Sequence, residues 1–344
     1  MLETALASAI KAVVSEWAQA TSPENQVVEL QNPATLAVTL GLAVEAVLID
    51  TGFSLDSIRA ELLAAPFIHL KGVFDILVLP DTPTTFNPVP DVPETLVARA
   101  SILAVHALLL KETVSYGTEN SGNLFVNLVA LEGEGAFPEK SKQSMRGHTD
   151  AVSFPFNGED DEEDDRIAPS PDLVTLAGLR NPDKVPTNLM PLSDILAHMH
   201  PGDVAELKKP QFSFHPQKTF IPAMKALLGK LRIVHDAPVL KDVEDSTFIR
   251  YSHSSVVPPD EAGLAATASN SLEAACNETA VAIVVEPGDV LIISNRLSLH
   301  GRGKPTDQVG GESRWLLRTY GLETSNLPPH KRHLDGRPAH VLYP

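Results

Sequence analysis

The chain has 344 residues, 43% of them apolar, with a mean hydropathy near zero. It is long enough to bury a sizeable core, in one large domain or two smaller ones. Its formal net charge of −17 argues against binding a nucleic-acid backbone, which needs clustered Lys and Arg, and against docking on an anionic membrane.

The single cysteine, Cys276, allows neither an intrachain disulfide nor a Cys-based zinc site. It reads as a small, semi-buried residue in a reducing cytoplasm. Lys11 and Glu16 interrupt the N-terminal apolar run, so no secretory signal is expected. No uncharged apolar stretch approaches the ~18 residues that a membrane helix needs.

In chain order, Leu2, Leu6, Ile10, Val13, Val14 and Trp17 recur at helical spacing, which predicts an amphipathic helix over 2–20. Pro33 opens a second helical stretch to about Ile49. A third spans Asp56 to Ala65, and Ile68 to Leu79 reads as strand. Pro80 to Pro93 is a proline-rich crossing that must run extended. Pro93 to Lys111 returns to helix.

From Gly122 the period changes. Strands are expected at Leu124–Leu131, His148–Phe156, Leu173–Leu179, Phe212–Phe214, Val239–Leu240, Thr247–Tyr251, Ala280–Val285, Val290–Ser294 and Arg314–Tyr320. Helices are expected at Ser193–His200 and Glu261–Glu278. Between them lies an unbroken acidic run, Glu159 to Asp165, within a loop over 157–171. It reads as a solvated insertion, with a mobile lid as the sharper alternative.

Many short strands after an early helical third predict an α+β protein: a jelly-roll (double-stranded β-helix, cupin-like) core wearing a mainly helical N-terminal flank. The expected organisation is a single catalytic domain over 1–344. It comprises a flank to 115, a core over 116–325 with the acidic insertion, and a surface or capping tail over 326–344.

His148 and Asp150 head one β-prone run, and side chains two apart on a strand share a face. His300 follows the turn-strand unit Gly288 to Arg296, so it is expected just past a strand. Two imidazoles and one carboxylate suit one face of an octahedral Fe(II) and leave positions open for substrates. The rival pair, His198 and His200, lies at a helix end and reads as surface or cap histidines. Downstream, Arg314, Leu316 and Arg318 alternate onto one strand face. Inward-facing guanidinium groups need an anionic partner, and beside an iron site an anionic co-substrate is the better one.

Several blocks, taken together, resemble the Fe(II)/2-oxoglutarate-dependent oxygenases, in the clavaminate synthase-like group of the taurine dioxygenase superfamily. They are Leu79-Pro80-Asp81-Thr82-Pro83-Thr84; Glu119 to Leu124; His148-Thr149-Asp150; Pro171 to Arg180; and Pro287 to Arg296 with His300-Gly301-Arg302. Arg314 and Arg318 follow His300 by 14 and 18 residues. The resemblance implies that His148, Asp150 and His300 ligate iron. It further implies that Arg314, helped by Thr187, binds 2-oxoglutarate, and that Arg318 holds the substrate carboxylate or shares the co-substrate.

The implied reaction uses Fe(II), 2-oxoglutarate and O2. It hydroxylates an unactivated C–H bond of an amino acid or its derivative, free or carried on a peptide or carrier protein, and releases succinate and CO2. No protein general acid or base is required. The alternatives are desaturation, cyclisation or epoxidation with the same cofactors, and a jelly-roll protein that binds metal or ligand without oxidation. Retention of the Asp150 carboxylate argues against halogenation. Ser252 stands near where relatives acting on basic amino acids often place Asp.

Overall fold

The computed structural model of the chain describes residues 2–333 and 336–344. The first third is helical as expected: α1 (Leu2–Ala20), α2 (Pro23–Leu30), α3 (Pro33–Asp50) and α4 (Leu55–Ala64) precede β1 (Phe67–Leu70) and α5 (Pro93–Leu108). Helix α2 is an addition to the sequence reading. Ser22 caps it, accepting from the Asn25 amide, and Pro23 supplies its first turn.

Of the described helices, α3 is the one long and apolar enough, by length and composition, to cross a membrane. In this fold its Leu36, Leu40, Val44 and Leu48 are buried in the helical layer, while Val38, Leu42 and Ile49 are exposed.

The core follows with β2 (Glu112–Tyr116), β3 (Val126–Leu128), α6 (Ala136–Ser141), β4 (Met145–His148), β5 (Leu173–Arg180) and β6 (Thr187–Pro191). Next come α7 (Leu192–His198), α8 (Pro201–Leu207), β7 (Phe212–Phe214), α9 (Ile221–Leu228), β8 (Val234–Ala237), β9 (Leu240–Val243), β10 (Ser246–Ile249) and β11 (Val256–Val257). The chain ends with α10 (Leu264–Thr279), β12 (Val281–Ile283), β13 (Val290–Ser294), β14 (Ser298–Arg302), β15 (Trp315–Leu322) and β16 (Val341–Leu342).

Two sheets form the jelly roll. The larger runs β1-β13-β5-β15-β2-β16, with β3 also paired to β15; the smaller runs β12-β6-β14-β4. The larger sheet is apolar on both faces because both are covered. In β13, Val290 and Ile292 pack on the helical flank, whereas Leu291 and Ile293 face the smaller sheet. In β15, Trp315 and Leu317 pack towards the helices, and Leu316 and Tyr320 towards the interior. This is the period-2 alternation of a strand buried on both sides. The outer face of the smaller sheet, through Met190 and Leu299, packs in a third cluster with residues of α7, α8 and α10.

Several expected elements shorten or move. The strand expected over Ile68–Leu79 ends at Leu70, where Gly72 takes a positive φ of 62° and the chain leaves the sheet. The stretch Leu124–Leu131 is paired only over Val126–Leu128. The His148–Phe156 run is strand only up to His148 and then turns. The tail over 326–344 is more than a cap: β16 adds a parallel strand beside β2.

The acidic insertion is largely solvated as expected, with Asp160, Glu162, Glu163 and Asp165 exposed, but it is also tied down by ion pairs. Glu159 pairs with Lys241, Asp160 with Lys331, Asp161 with Arg232 and Glu163 with Lys230. Basic residues from distant segments thus balance four of its seven charges.

Candidate active site

Strand register brings the two histidines together. His300 lies within β14, not past a strand as expected, and stands directly opposite His148 of β4. Opposed residues on antiparallel strands have Cβ atoms about 5 Å apart, and the two imidazole centroids here are 4.3 Å apart. The approach needs Gly301, where a Cβ would run into the Met145 carbonyl oxygen.

Asp150 arrives differently. It sits in the turn after β4, beside Ala151 with a left-handed φ of 56°. Strand alternation therefore does not place it, although it still meets His148. Its carboxylate lies 3.6 Å from His148 Nε2 and 3.8 Å from His300 Nε2. Two side-chain amides hold the turn. Asn295 Oδ1 accepts from the Asp150 amide and its Nδ2 donates to the Asp150 carbonyl. Gln217 accepts from the Ala151 amide and donates to the Thr149 carbonyl.

One ligand atom from each of His148, Asp150 and His300 lies within 4.8 Å of the others, and all three residues are buried. Burial pushes His300 down to about 3 and lowers His148, so both imidazoles stay neutral. His148 Nδ1 lies 2.9 Å from the Arg146 carbonyl. A carbonyl only accepts, so the proton sits on Nδ1 and the Nε2 lone pair faces the site. Burial would raise the Asp150 carboxyl, but His300, Arg318 and His148 together outweigh it and hold it below its usual range. Neutral imidazoles and an ionised carboxylate are the forms that bind a divalent metal, and the donor set fits Fe(II).

The triad opens onto a cavity of about 430 Å³, which Thr187, Arg302, Arg314 and Arg318 also line. Thr187 begins β6, opposite Arg302 of β14. Arg314 immediately precedes β15 and is 6% exposed, yet its Nε has no hydrogen-bond partner. Burial, with Arg302 adding to it, pushes its guanidinium down to about 9. A buried cation in that state fits an incoming carboxylate. Arg318 is already engaged: its guanidinium lies 2.8 Å from Glu119 and 3.6 Å from Asp150. Burial opposes its charge, but Glu119, Tyr320 and Asp150 together more than compensate.

No family model matches the chain. Among curated proteins it is 24% identical to the L-lysine 3-hydroxylase of Catenulispora acidiphila over 278 residues, 78% of this chain and 70% of that protein. It is 27% identical to the L-asparagine oxygenase of Streptomyces coelicolor over 275 residues, 78% of this chain and 74% of that one. An 88-residue segment is 34% identical to clavaminate synthase 2 of Streptomyces clavuligerus, covering 26% of each. Asparagine oxygenase solved with Fe(II), 2S,3S-3-hydroxyasparagine and succinate superposes with a TM-score of 0.76 at 24% identity, covering 98% of this chain and 97% of that one. The non-haem iron oxygenase OrfP with Fe and α-ketoglutaric acid gives 0.69 at 21% identity, with the same coverage.

The chain is thus similar in sequence to amino-acid oxygenases and shares the fold of the Fe(II)- and 2-oxoglutarate-binding oxygenases among them. The resemblance to the clavaminate synthase-like group drawn from the sequence agrees with these similarities.

Not all of this cavity was foreseen. Asn295 and Gln217, which fix the Asp150 turn, carry no chemistry-bearing pattern of their own. Glu119 belonged to a quoted motif but had no assigned role; its position 199 residues before Arg318 hides the contact. None of the residues over 157–171 lines the cavity. His198 and His200 stay outside: the first bonds the Asp194 carbonyl, and the second caps α8 by accepting from the Gly202 amide.

Proposed function

We propose that the protein hydroxylates a C–H bond of a free amino acid, with His148, Asp150 and His300 holding Fe(II) and Arg314 and Thr187 holding 2-oxoglutarate. The observation that carries this is the sharing of one cavity by the triad, the partly unpartnered Arg314 and the Arg318–Glu119 pair. When bound, the iron and 2-oxoglutarate supply the oxidising chemistry, consuming O2 and releasing succinate and CO2.

The chain's own residues bind and aim. Arg314 offers its fork to the distal carboxylate of the co-substrate, with the Thr187 hydroxyl beside it. Arg318 and Glu119 form a matched cation and anion on the cavity wall. They suit the α-carboxylate and the α-ammonium of a zwitterion. A free α-carboxylate is lost when an amino acid is loaded on a carrier or internal to a peptide, which favours a free substrate. Asn295 and Gln217 keep Asp150 from rotating away from the imidazoles. No side chain need take a proton from the substrate carbon.

The relatives fit this reading, being named for hydroxylation of lysine and oxygenation of asparagine. The test is a screen of free amino acids for succinate release and for a product one oxygen heavier, with the oxygen traced to O2. Anaerobic protein with Fe(II) and 2-oxoglutarate should show the weak visible charge-transfer band, and Arg314→Ala should abolish it at limiting co-substrate. Absence of the band in the unsubstituted protein refutes the assignment.

A further inference from the structure

Two lysines face the cavity with nothing to neutralise them. Lys140, on α6, is half-buried, and Lys218, in the loop before α9, is exposed; both line the cavity. Among the described residues neither ammonium has an ion-pair or hydrogen-bond partner. The remaining charges in the cavity are accounted for. Arg146 pairs with Glu273 outside it at 3.0 Å. Arg318 pairs with Glu119, Arg302 donates to the carbonyls of Lys140, Ser141 and Gln143, and Arg314 is the arginine assigned above to the co-substrate. Glu119 and Asp150 are the only carboxylates in the lining, and both are engaged. The lining also includes the neutral polar residues Gln217, Thr219, Ser252 and Ser254.

We propose that the substrate is an amino acid with a carboxylate side chain, of the aspartate or glutamate class, and that Lys140, with Lys218 at the mouth, recognises that carboxylate. This rests on the amino-acid oxygenase reading above. The Arg318–Glu119 pair is a neutral complement and matches the neutral backbone zwitterion of any free amino acid. It leaves the side chain to meet the lysines. A lysine or arginine side chain would enter a region with two like charges and no free acid. A neutral amide would leave Lys140 without a counter-charge. A carboxylate satisfies it, in a charge-assisted bond. Burial and the nearby Lys218 both lower the Lys140 ammonium below its usual range, as expected of a cation whose anionic partner comes from outside the chain. Ser252 and Ser254 suit the same side chain: a hydroxyl donates to a carboxylate but offers no charge to a base.

The test uses the Fe(II)- and 2-oxoglutarate-loaded protein. Without O2, equilibrium binding is measured for L-aspartate, L-glutamate, L-asparagine, L-glutamine, L-lysine, L-arginine and O-phospho-L-serine. With O2, succinate release is measured on the same panel. One of the two acids should bind and turn over at least tenfold better than its amide and than either base. Lys140→Met should weaken that binding about 10- to 100-fold, the value of a charge-assisted bond. Lys140→Glu with Lys218→Glu should move the preference towards lysine or arginine.

Preference of the unsubstituted protein for an amide or a base overturns the proposal and leaves the amino-acid oxygenase reading intact. Tighter binding of phosphoserine than of both acids overturns the carboxylate assignment. If no amino acid binds or turns over, the reading beneath it fails as well. The panel on the unsubstituted protein decides these outcomes even if a variant does not fold.

Discussion

Replacing Arg314 by Met separates a binding arginine from a structural one. The guanidinium is buried, its Nε has no partner and burial pushes it down to about 9. Against an ordinary value of 12.5, that fall corresponds to on the order of 5 kcal/mol against the charged form. The protein alone therefore gains little from this arginine, and on the proposed reading a bound carboxylate is what would stabilise it. Arg314→Met should leave the melting temperature of the ligand-free protein unchanged or raised. In the presence of 2-oxoglutarate the two proteins should diverge. Saturation at a hundred times Kd stabilises the unsubstituted protein by about 2.7 kcal/mol. The variant, having lost a buried charge-assisted contact of about 3 kcal/mol, binds on the order of a hundredfold more weakly and should show almost none of that shift. Thermal melts with and without 2-oxoglutarate, paired with KM for 2-oxoglutarate, give the answer. A variant that melts well below the unsubstituted protein without ligand, yet keeps the full 2-oxoglutarate shift, would refute the reasoning and make Arg314 structural.

Asn295→Ala should free the turn that carries Asp150 and lower Fe(II) affinity roughly 10- to 100-fold; a metal titration with unchanged affinity would rule out the clamp. Asp161→Ala leaves the buried Arg232 guanidinium, already pushed down to about 9, without its carboxylate. This should cost about 3 kcal/mol in chemical denaturation and speed proteolysis over 157–171. His106 is wholly buried between the hydroxyls of Thr113 and Thr175, and burial pushes it down to about 3. The unfolded chain protonates it near 6.5, so in that window the unfolded state holds the extra proton. Stability should fall as the pH drops from about 6.5 towards 3, by up to about 1.4 kcal/mol per pH unit from this residue. His106→Gln should flatten that slope, and an unchanged slope would assign it to other groups.

Local pattern determined a good deal by itself. Periodic apolar residues located α1, α3, α5 and α10, and strands such as β5, β13 and β15, because which side chains face a core is written at spacings of 3.6 and 2. The spacing of His148, Asp150, His300, Arg314 and Arg318 was also enough to name the reaction class. It was misleading about mechanism of placement: Asp150 meets His148 through a turn held by Asn295 and Gln217, not through strand alternation.

Tertiary structure alone decided which charges are paired. Glu159 to Asp165 looked like a solvated run, yet its partners Lys230, Arg232, Lys241 and Lys331 come from segments scattered along the chain. The reverse holds for Lys140 and Lys218, which look ordinary in sequence and are left unpaired facing the cavity. Coulomb interactions depend on distance through space and on local burial. A linear pattern records neither, so the partners of the acidic loop and the unpaired state of the two lysines emerge only in the folded chain.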